Sequence, residues 1–143
     1  MEINSVTVVG GGLMGAGIAH VSALGGFHTT LVDISMEILE KSLNTIRGRL
    51  EKGVELGKID REIPEQVLSR LTLEVDLEKG AREADMIIEA APEKIELKLE
   101  IFQKLDQMCK VHAVFASNTS ALSITEMAAV TQRPEKCIGM HFF

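Results

Sequence analysis

Cysteine and net positive charge are both scarce in this sequence. Its two cysteines, Cys109 and Cys137, lie far apart and form no Cys-x-x-Cys pair, so the sequence favours no disulfide, redox pair or metal site. We predict two reduced, partly buried thiols. There are 15 Lys and Arg residues against 21 Asp and Glu residues, a net charge of −6. A surface that binds nucleic acid is normally basic, because it neutralises phosphates, so we expect no nucleic-acid partner.

Long apolar runs are also missing from the sequence. No stretch reaches the roughly 18 apolar residues that a membrane span needs, and the first predicted strand begins almost at the N-terminus. We therefore expect no membrane partner and a cytoplasmic protein. With 45% hydrophobic and 25% charged residues, the 143 residues fit one soluble α/β domain with a sizeable core.

Apolar runs of strand length alternate with longer helical patterns along the whole chain. This alternation is typical of βαβ units and a parallel sheet. The predicted strands are residues 6–9, 29–32, 71–75, 86–89, 113–116 and 138–140. Between them, apolar stripes at helical spacing predict helices. The stripes are Met14, Ile18, Val21 and Leu24, then Leu39, Leu43, Ile46 and Leu50, and finally Ile95, Leu99, Phe102 and Leu105.

Three local signals refine these boundaries. Ser35 is predicted as the N-cap of the second helix. Pro92 is predicted in the first turn of the helix that carries Ile95. The polar, glycine-containing segment 53–64 is predicted to be a helix end and a loop that leads into the third strand, not a domain boundary.

A glycine-rich segment, residues 10–15, joins the first predicted strand to the first predicted helix and has the spacing Gly-x-Gly-x-x-Gly. We call this segment the Gly loop. Alone it could be an ordinary tight loop, but the strand, loop and helix together are typical of dinucleotide-binding proteins. Gly10 would allow the sharp turn, Gly12 would let a pyrophosphate approach the backbone, and Gly15 with Gly17 would let the helix pack against the sheet. The anion would then bind free N–H groups at the helix N-terminus. The predicted cofactor contacts in this loop are Gly10, Gly12, Leu13, Met14 and Gly15.

Asp33 directly follows the second predicted strand, where an acidic side chain hydrogen-bonds the adenosine ribose hydroxyls of a dinucleotide. A carboxylate there would repel the 2′-phosphate of NADP, and the next residues, Ile34 and Ser35, provide no arginine to offset it. Alternatively, Asp33 is only a strand-end or helix-capping carboxylate. We predict NAD as the cofactor and, as the fold class, α/β: a Rossmann-type doubly wound, mostly parallel sheet with helices on both faces.

Ligands of open α/β sheets bind outside the carboxyl ends of the strands, so polar residues at those ends are candidate site residues. Glu93, the segment 117–120 and His141 each follow a predicted strand. A neutral His141 beside a nicotinamide could take the proton of a substrate hydroxyl, since its reference pKa of about 6.5 is near working pH. Each candidate has a structural alternative. His141 could be a core histidine, and residues 117–120 could be a polar turn that caps the next helix, although Ser123 would serve as that cap equally well. Glu93 could be a favourable carboxylate in the first turn of a helix.

Four segments together resemble the 3-hydroxyacyl-CoA dehydrogenases, a family that includes the bacterial 3-hydroxybutyryl-CoA dehydrogenases. They are residues 8–20, which contain the Gly loop, residues 87–93, the Ala-Ser-Asn-Thr-Ser of residues 116–120 and the Gly-Met-His-Phe-Phe of residues 139–143. The likeness covers essentially the whole chain. The combination of Ser-Asn-Thr-Ser with His-Phe-Phe at this separation is its most specific part.

The resemblance implies oxidation of a 3-hydroxyacyl-CoA substrate, in fatty acid β-oxidation or butanoate metabolism. By that resemblance, His141 is the catalytic base that removes the 3-hydroxyl proton as hydride passes to the nicotinamide. Ser120 hydrogen-bonds the reacting substrate oxygen and touches the cofactor. Asn118 helps to hold the nicotinamide side of the site, and Glu93 and Lys98 contact the nicotinamide-ribose region.

The family pattern continues beyond the motifs present here. In the family, His-Phe-Phe leads into Asn-Pro, a later glutamate pairs with the histidine, and a largely helical domain closes the substrate cleft and commonly forms a dimer interface. We therefore expect residues 1–143 to be the NAD-binding Rossmann domain without that C-terminal domain, to bind NAD without efficient turnover, and to form a homodimer in the full-length protein. Lys52 and Lys58 are candidates for reaching the phosphates of CoA.

Two other functions stay open on the sequence. One is a different β-hydroxyacid dehydrogenase, which acts on a free acid instead of a thioester. The other is a non-catalytic NAD-binding or redox-sensing module, although a sensor has no need for a base beside the nicotinamide.

Overall fold

The computed structural model describes residues 1–142, and Phe143, the last residue of the His-Phe-Phe motif, lies outside them. The strands are β1 (Ser5–Val9), β2 (His28–Val32), β3 (Leu71–Glu74), β4 (Met86–Glu89), β5 (Val114–Ser117) and β6 (Cys137–Gly139). The helices are α1 (Leu13–Leu24), α2 (Met36–Glu55), α3 (Ile63–Ser69), α4 (Leu77–Ala81), α5 (Ile95–Met108) and α6 (Ile124–Ala129), and a 3₁₀ turn spans Pro134–Lys136.

The six strands form one sheet in the order β3-β2-β1-β4-β5-β6, and every neighbouring pair is parallel. The chain moves outward from β1 to β3, then returns to lay β4 on the other side of β1. This reversal opens a crevice between the carboxyl ends of β1 and β4, where open α/β sheets bind their ligands. The strand order confirms the predicted Rossmann-type α/β fold.

Helices cover both faces of the sheet because consecutive strand residues point to opposite sides. Val8 and Ile88 pack with side chains of α1, α2 and α3 in one core. Their neighbours Val9 and Ile87 pack with Phe115 and with α4, α5 and α6 in a second core. Strands that are apolar on both faces are typical of a parallel sheet, as the sequence pattern predicted.

All six strands lie where the sequence predicts them, but two are displaced by one residue. Strand β5 ends at Ser117 instead of residue 116, and β6 begins at Cys137 instead of residue 138. Ser117 remains in the sheet because it is paired with Glu89 on one side and Gly139 on the other. It is therefore a buried strand residue and not, as predicted, the first residue of the following turn.

The buried face of α1 differs from the predicted apolar stripe. Val21 and Leu24 are 48% and 43% exposed, whereas the buried residues are mostly small: Gly15, Ala16, Ile18, Ala19, Ser22 and Ala23. Small residues let the helix axis come close to the sheet, and a larger stripe on that face would hold it away. The predicted stripe is therefore confirmed at Ile18, which is buried, and wrong at Val21 and Leu24, because hydrophobicity alone does not show this close approach.

Two boundary predictions also need correction, and a third is confirmed in position. The segment 53–64 is not simply a helix end and loop, since α2 continues to Glu55 and a further helix, α3, starts at Ile63 with a proline in its first turn. Pro92 lies outside α5, which begins at Ile95 after Lys94. Ser35 occupies the N-cap position of α2 as predicted, but its hydroxyl makes no capping hydrogen bond. Within residues 1–142, no helix is both long and apolar enough to span a membrane.

Candidate functional site

The Gly loop between β1 and α1 has a shape that depends on its first glycine. Gly10 has a φ of +113°, and a Cβ at this position would stand 2.5 Å from the carbonyl oxygen of Ala90. Its N–H donates to the carbonyl oxygen of Val32 at 2.8 Å, which fixes the turn against β2. A side chain at residue 10 would therefore clash with the loop after β4, so the predicted role of Gly10 in the sharp turn is confirmed.

The start of α1 provides N–H groups that the protein itself does not use. The first helical hydrogen bond runs from Ala16 N to Gly12 O at 2.9 Å, and no side chain caps the helix. The N–H groups of Leu13 and Met14 thus have no partner within the helix. A Cβ built at Gly12 would meet nothing within 4 Å. Packing does not require glycine there, so the open space fits an anionic ligand that lies against the backbone.

The two later glycines of the motif have different roles. A Cβ on Gly15 would overlap the carbonyl oxygen of Gly10, so Gly15 lets α1 begin directly against the turn. Gly17 was predicted to face the sheet as well, but its nearest side chain is that of Arg49 on α2, 3.6 Å from the position of a Cβ. Gly17 therefore serves the packing of α1 against α2, which the spacing of the motif alone does not reveal.

Asp33 follows β2 and holds the Gly loop through its carboxylate. Its Oδ2 accepts a hydrogen bond from Gly11 N at 2.7 Å, and its Oδ1 accepts one from Ile34 N at 2.7 Å. On the other side of the loop, the buried hydroxyl of Ser42 shares its one hydrogen between two carbonyl oxygens, Gly11 O at 2.5 Å and Ile38 O at 2.9 Å. Sequence reasoning missed Ser42, although a serine on the apolar face of α2 signals a buried polar contact.

A buried ion cluster lies under the loop that follows β4. Glu89 and Lys98 are 0% and 1% exposed, and Lys98 Nζ donates to Glu89 Oε2 at 2.6 Å. The same ammonium lies 2.9 Å from Glu93 Oε1 and donates to the carbonyl oxygen of Ala91 at 3.1 Å. Hydrogen bonding to Lys98 holds the pKa of Glu93 below its usual range, against an opposing effect of burial. Glu93 is not the first-turn carboxylate of a helix, since it lies in the loop before α5.

Glu89 also reaches β5, a contact that the sequence did not predict. Its Oε1 accepts a hydrogen bond from Ser117 Oγ at 2.6 Å, and its Oε2 accepts one from Ala91 N at 2.6 Å. The available signal was a carboxylate at the end of an otherwise apolar strand, which must be paired if it is buried.

After Ser117, two residues of the Ser-Asn-Thr-Ser segment, Asn118 and Thr119, make hydrogen bonds to neighbouring loops. The carboxamide oxygen of Asn118 accepts a hydrogen bond from Phe142 N at 2.8 Å. Thr119 Oγ1 donates to Glu93 Oε2 at 2.8 Å and accepts from Leu122 N at 3.0 Å. Ser120 is exposed. The segment does not cap the next helix, because Ser123 Oγ does so by accepting a hydrogen bond from Glu126 N at 3.2 Å.

His141 is exposed at the carboxyl end of β6, so the alternative of a core histidine is excluded. Its chain segment is held on one side by the last residue of β5 and on the other by the turn that follows it. Met140 N donates to Ser117 O at 2.9 Å, and Phe142 N donates to Asn118 Oδ1 at 2.8 Å. The structure thus places His141 next to the Ser-Asn-Thr-Ser segment, which is the juxtaposition that the carboxyl-edge rule predicts.

A groove along α2 carries several basic side chains. It is lined by Thr45, Gly48, Arg49, Lys52, Gly53, Leu56 and Lys58. The two lysines that the sequence suggested for CoA phosphates therefore face the same groove, and Arg49 adds a third cation. Lys52 also forms an exposed ion pair with Glu55 at 3.7 Å.

The two cysteines are free thiols and partly buried, as predicted. Burial raises the pKa of Cys109 to about 11 and also raises the pKa of Cys137. Neither thiol is therefore an activated nucleophile at neutral pH. Among residues 1–142, no three His, Cys, Asp or Glu side chains are grouped closely enough to hold a metal ion.

Known proteins resemble this chain along its whole length. It is 44% identical over 140 residues to the 3-hydroxybutyryl-CoA dehydrogenase of Bradyrhizobium diazoefficiens, covering 98% of this chain and 47% of that protein. It is 43% identical over 146 residues to the mitochondrial hydroxyacyl-coenzyme A dehydrogenase of Rattus norvegicus, covering 99% of this chain and 46% of that protein. The chain thus spans about half the length of these curated relatives.

A solved structure agrees with the fold. The crystal structure of 3-hydroxybutyryl-CoA dehydrogenase from Escherichia coli K12 superimposes with a TM-score of 0.95 at 40% identity, covering all of this chain and 30% of that one. Residues 5–143 match the family model described as "3-hydroxyacyl-CoA dehydrogenase, NAD binding domain". That description names NAD, which confirms the cofactor predicted from the Gly loop and Asp33. The chain belongs to the NAD-binding domain family of the 3-hydroxyacyl-CoA dehydrogenases.

Proposed function

We propose that this chain is the cofactor-binding part of an NAD-dependent 3-hydroxyacyl-CoA dehydrogenase that acts on a substrate of the 3-hydroxybutyryl-CoA type. The observation that carries this proposal is that exposed His141 lies in a segment hydrogen-bonded to Ser117 and Asn118, at the carboxyl edge of the sheet that also holds the Gly loop. The names of the relatives support the substrate class.

The residues present fit NAD. The N–H groups at the start of α1 and the open space at Gly12 would hold its pyrophosphate. Asp33 lies next to that loop and would accept hydrogen bonds from the adenosine ribose, and a 2′-phosphate would be repelled there. Glu93, half exposed with its carboxylate fixed at both oxygens, would accept hydrogen bonds from the second ribose. When bound, NAD takes up the hydride that leaves C3 of the substrate.

His141 and Ser120 would act on the substrate oxygen. A neutral imidazole at residue 141 would take the proton of the 3-hydroxyl group as the carbonyl forms, and the hydroxyl of Ser120 would hydrogen-bond the same oxygen. Asn118 holds the backbone after His141 through its carboxamide oxygen, so it would position the imidazole as well as border the nicotinamide. General base catalysis of this kind contributes about 10² to 10⁴ in rate.

The contacts of Lys98 favour a different role from the direct cofactor contact that the resemblance implies. Its ammonium group has three hydrogens, and each is already bonded inside the protein, to Glu89, Glu93 or the carbonyl oxygen of Ala91. We therefore propose that Lys98 acts on the cofactor through Glu93, whose carboxylate it orients.

The basic groove on α2 would hold the phosphates of CoA. Arg49, Lys52 and Lys58 bring three positive charges to one side of a domain whose net charge is −6. Such a local concentration of cations suits the phosphates of a nucleotide, which an acidic surface would repel.

The proposed reaction is tested with NADH and two substrates, acetoacetyl-CoA and free acetoacetate. The chain and the longest natural protein that contains it are assayed in parallel for NADH oxidation. We expect turnover with the thioester in the longer protein, and NADH binding with little turnover in the chain alone. Oxidation of NADH with free acetoacetate instead of the thioester would favour the β-hydroxyacid dehydrogenase. Tight NADH binding without turnover, in both the chain and the longer protein, would favour a non-catalytic module.

The role of His141 is tested by His141→Ala in the longer protein. We expect a loss of about 10² to 10⁴ in kcat with NADH affinity near normal. His112→Ala is the matched control, because His112 is also exposed but contacts Asp85, whose carboxylate accepts hydrogen bonds from the N–H groups of Asn4 and Ser5 at the start of β1, at the opposite edge of the sheet. Full turnover by His141→Ala would exclude the base assignment.

A further inference from the structure

Glu89 is the most deeply buried carboxylate at the carboxyl edge of the sheet, and its three partners are all close. Lys98 Nζ, Ala91 N and Ser117 Oγ each lie 2.6 Å from one of its oxygens. Removing a carboxylate and an ammonium from water is costly, and an apolar pair of similar volume often gives equal or greater stability. Stability alone therefore gives little reason for an ion pair at this position.

One partner of Glu89 leads to the cofactor side of the site. Lys98 bonds Glu89 and Glu93 at the same time, so the buried carboxylate fixes the ammonium and the ammonium fixes one oxygen of the half-exposed Glu93. Without Glu89, Lys98 would keep a single carboxylate partner and would be drawn toward Glu93. The position of the Glu93 carboxylate thus depends on a residue that no ligand can touch.

The other partner of Glu89 leads to the reaction side. Ser117 Oγ donates to Glu89 and accepts a hydrogen bond from Thr119 N at 3.2 Å, directly before Ser120. Thr119 then closes the connection, because its hydroxyl donates to the second oxygen of Glu93 at 2.8 Å. The loop after β4 and the turn after β5 are therefore joined by two carboxylates, one buried and one at the surface.

We propose that Glu89 is a positioning residue, which acts through Lys98 to place the Glu93 carboxylate against the nicotinamide half of NAD. The proposal rests on the proposed function, because Glu93 is assigned to the cofactor there. It requires that a change at Glu89 weakens ligands that reach Glu93 and spares ligands that occupy only the Gly loop and Asp33.

The test compares NADH with ADP, which carries the pyrophosphate and adenosine but lacks the nicotinamide half. Glu89→Gln keeps the size of the side chain and removes its charge. We expect about a tenfold rise in the Kd of NADH, the effect of one weakened charge-assisted hydrogen bond. The Kd of ADP should stay within about twofold. Both are measured by calorimetry on the chain, with the folded fraction checked by circular dichroism.

Asp106→Asn is the matched control for a loss of stability. Asp106 lies on the same helix as Lys98 and forms a buried pair with Arg133, at 2.7 Å with side chains 10% and 11% exposed. It should lower the Tm as Glu89→Gln does, but leave the affinities for NADH and ADP in their wild-type ratio. Equal weakening of NADH and ADP in Glu89→Gln would overturn the proposal, because it would show a merely structural role.

A double-mutant cycle with Lys98→Met tests whether Glu89 acts through Lys98. It also provides a variant that should fold if a single variant does not. The double variant leaves no lone buried charge, so its Tm should recover relative to Glu89→Gln. Its Kd for NADH should match that of Lys98→Met alone, since one connection cannot be lost twice. The proposal would be contradicted if the double variant multiplied the losses of NADH affinity of the two single variants. It would also be contradicted if NADH affinity recovered together with the Tm. If the wild-type chain bound ADP but gained nothing from the nicotinamide half, the assignment of Glu93 in the proposed function would fail first.

Discussion

Gly12→Ala separates ligand binding from folding more cleanly than any other change in the Gly loop. The backbone at Gly12 has φ −71° and ψ −168°, which alanine adopts without strain, and a Cβ there meets nothing within 4 Å. Replacing glycine lowers the conformational entropy of the unfolded chain, which raises the free energy of unfolding by about 0.4–1 kcal/mol. Alanine is a poorer N-cap than glycine, which lowers the free energy of unfolding by a similar amount. We therefore expect the free energy of unfolding to change by less than about 0.5 kcal/mol.

Binding should respond very differently to the same change. The added methyl would occupy the space in which a pyrophosphate approaches the N–H groups of α1. Loss of one charge-assisted hydrogen bond costs about 1.5–3 kcal/mol, and a weaker interaction with the helix N-terminus costs about 0.5 kcal/mol more. The sum corresponds to roughly a 30- to 300-fold rise in the Kd of NADH.

The assay is an NADH titration and a urea unfolding curve on the same sample. Gly15→Ala is the comparison, because its methyl would overlap the carbonyl oxygen of Gly10. That variant should lose stability and binding together. Gly12→Ala with wild-type NADH affinity would refute the reasoning, since the pyrophosphate would then lie elsewhere.

Three further predictions concern residues around this loop and at the opposite sheet edge. Asp33→Ala should weaken NAD binding and narrow the preference for NAD over NADP, measured as the ratio of the two Kd values; an unchanged ratio would remove Asp33 from the ribose site. Ser42→Ala leaves the Gly11 carbonyl without its 2.5 Å partner and should cost about 1–3 kcal/mol in urea unfolding, with a several-fold weaker NADH affinity. Asp85→Asn should destabilise the chain at pH 7. Backbone hydrogen bonding lowers the pKa of Asp85 in the folded state, so its contribution is present above about pH 4 and is lost as the pH falls further. Urea midpoints at pH 7 and pH 3 should show the difference from wild type shrinking, and an equal difference at both values would contradict this.

The sequence predicts the sheet and the Gly loop well because both depend on local patterns. Each strand is an apolar run, and the Gly-x-Gly-x-x-Gly spacing reports backbone conformations that only glycine adopts, as at Gly10. The carboxyl-edge rule then brings Glu93, residues 117–120 and His141 to one place from strand positions alone. Local signals and topology are enough for these features, because parallel strands bring their carboxyl ends to the same edge.

Contacts between separate elements could not be predicted in this way. Lys98 stands among charged residues of α5, a pattern that indicates a solvated lysine. It is nevertheless buried, because its ammonium pairs with Glu89, nine positions earlier in the sequence at the end of β4. Ser42 is one of several small polar residues on α2, and only the approach of the loop to the helix shows its partner. Likewise, the buried face of α1 depends on how near the helix lies to the sheet, which no hydrophobic stripe encodes.

The acidic net charge of this domain raises the question of how it can hold an anionic cofactor. At the site, each described carboxylate already receives donors from the protein: Asp33 from two backbone N–H groups, and Glu89 from Lys98, a backbone N–H and Ser117. Lys98 offsets the charge of Glu89, so this buried ion pair adds little net charge near a phosphate at the Gly loop. The unused N–H groups at the start of α1 then supply a positive potential that acts over only a few ångströms. Local dipoles therefore decide where the pyrophosphate can lie, and the distant surface charge does not.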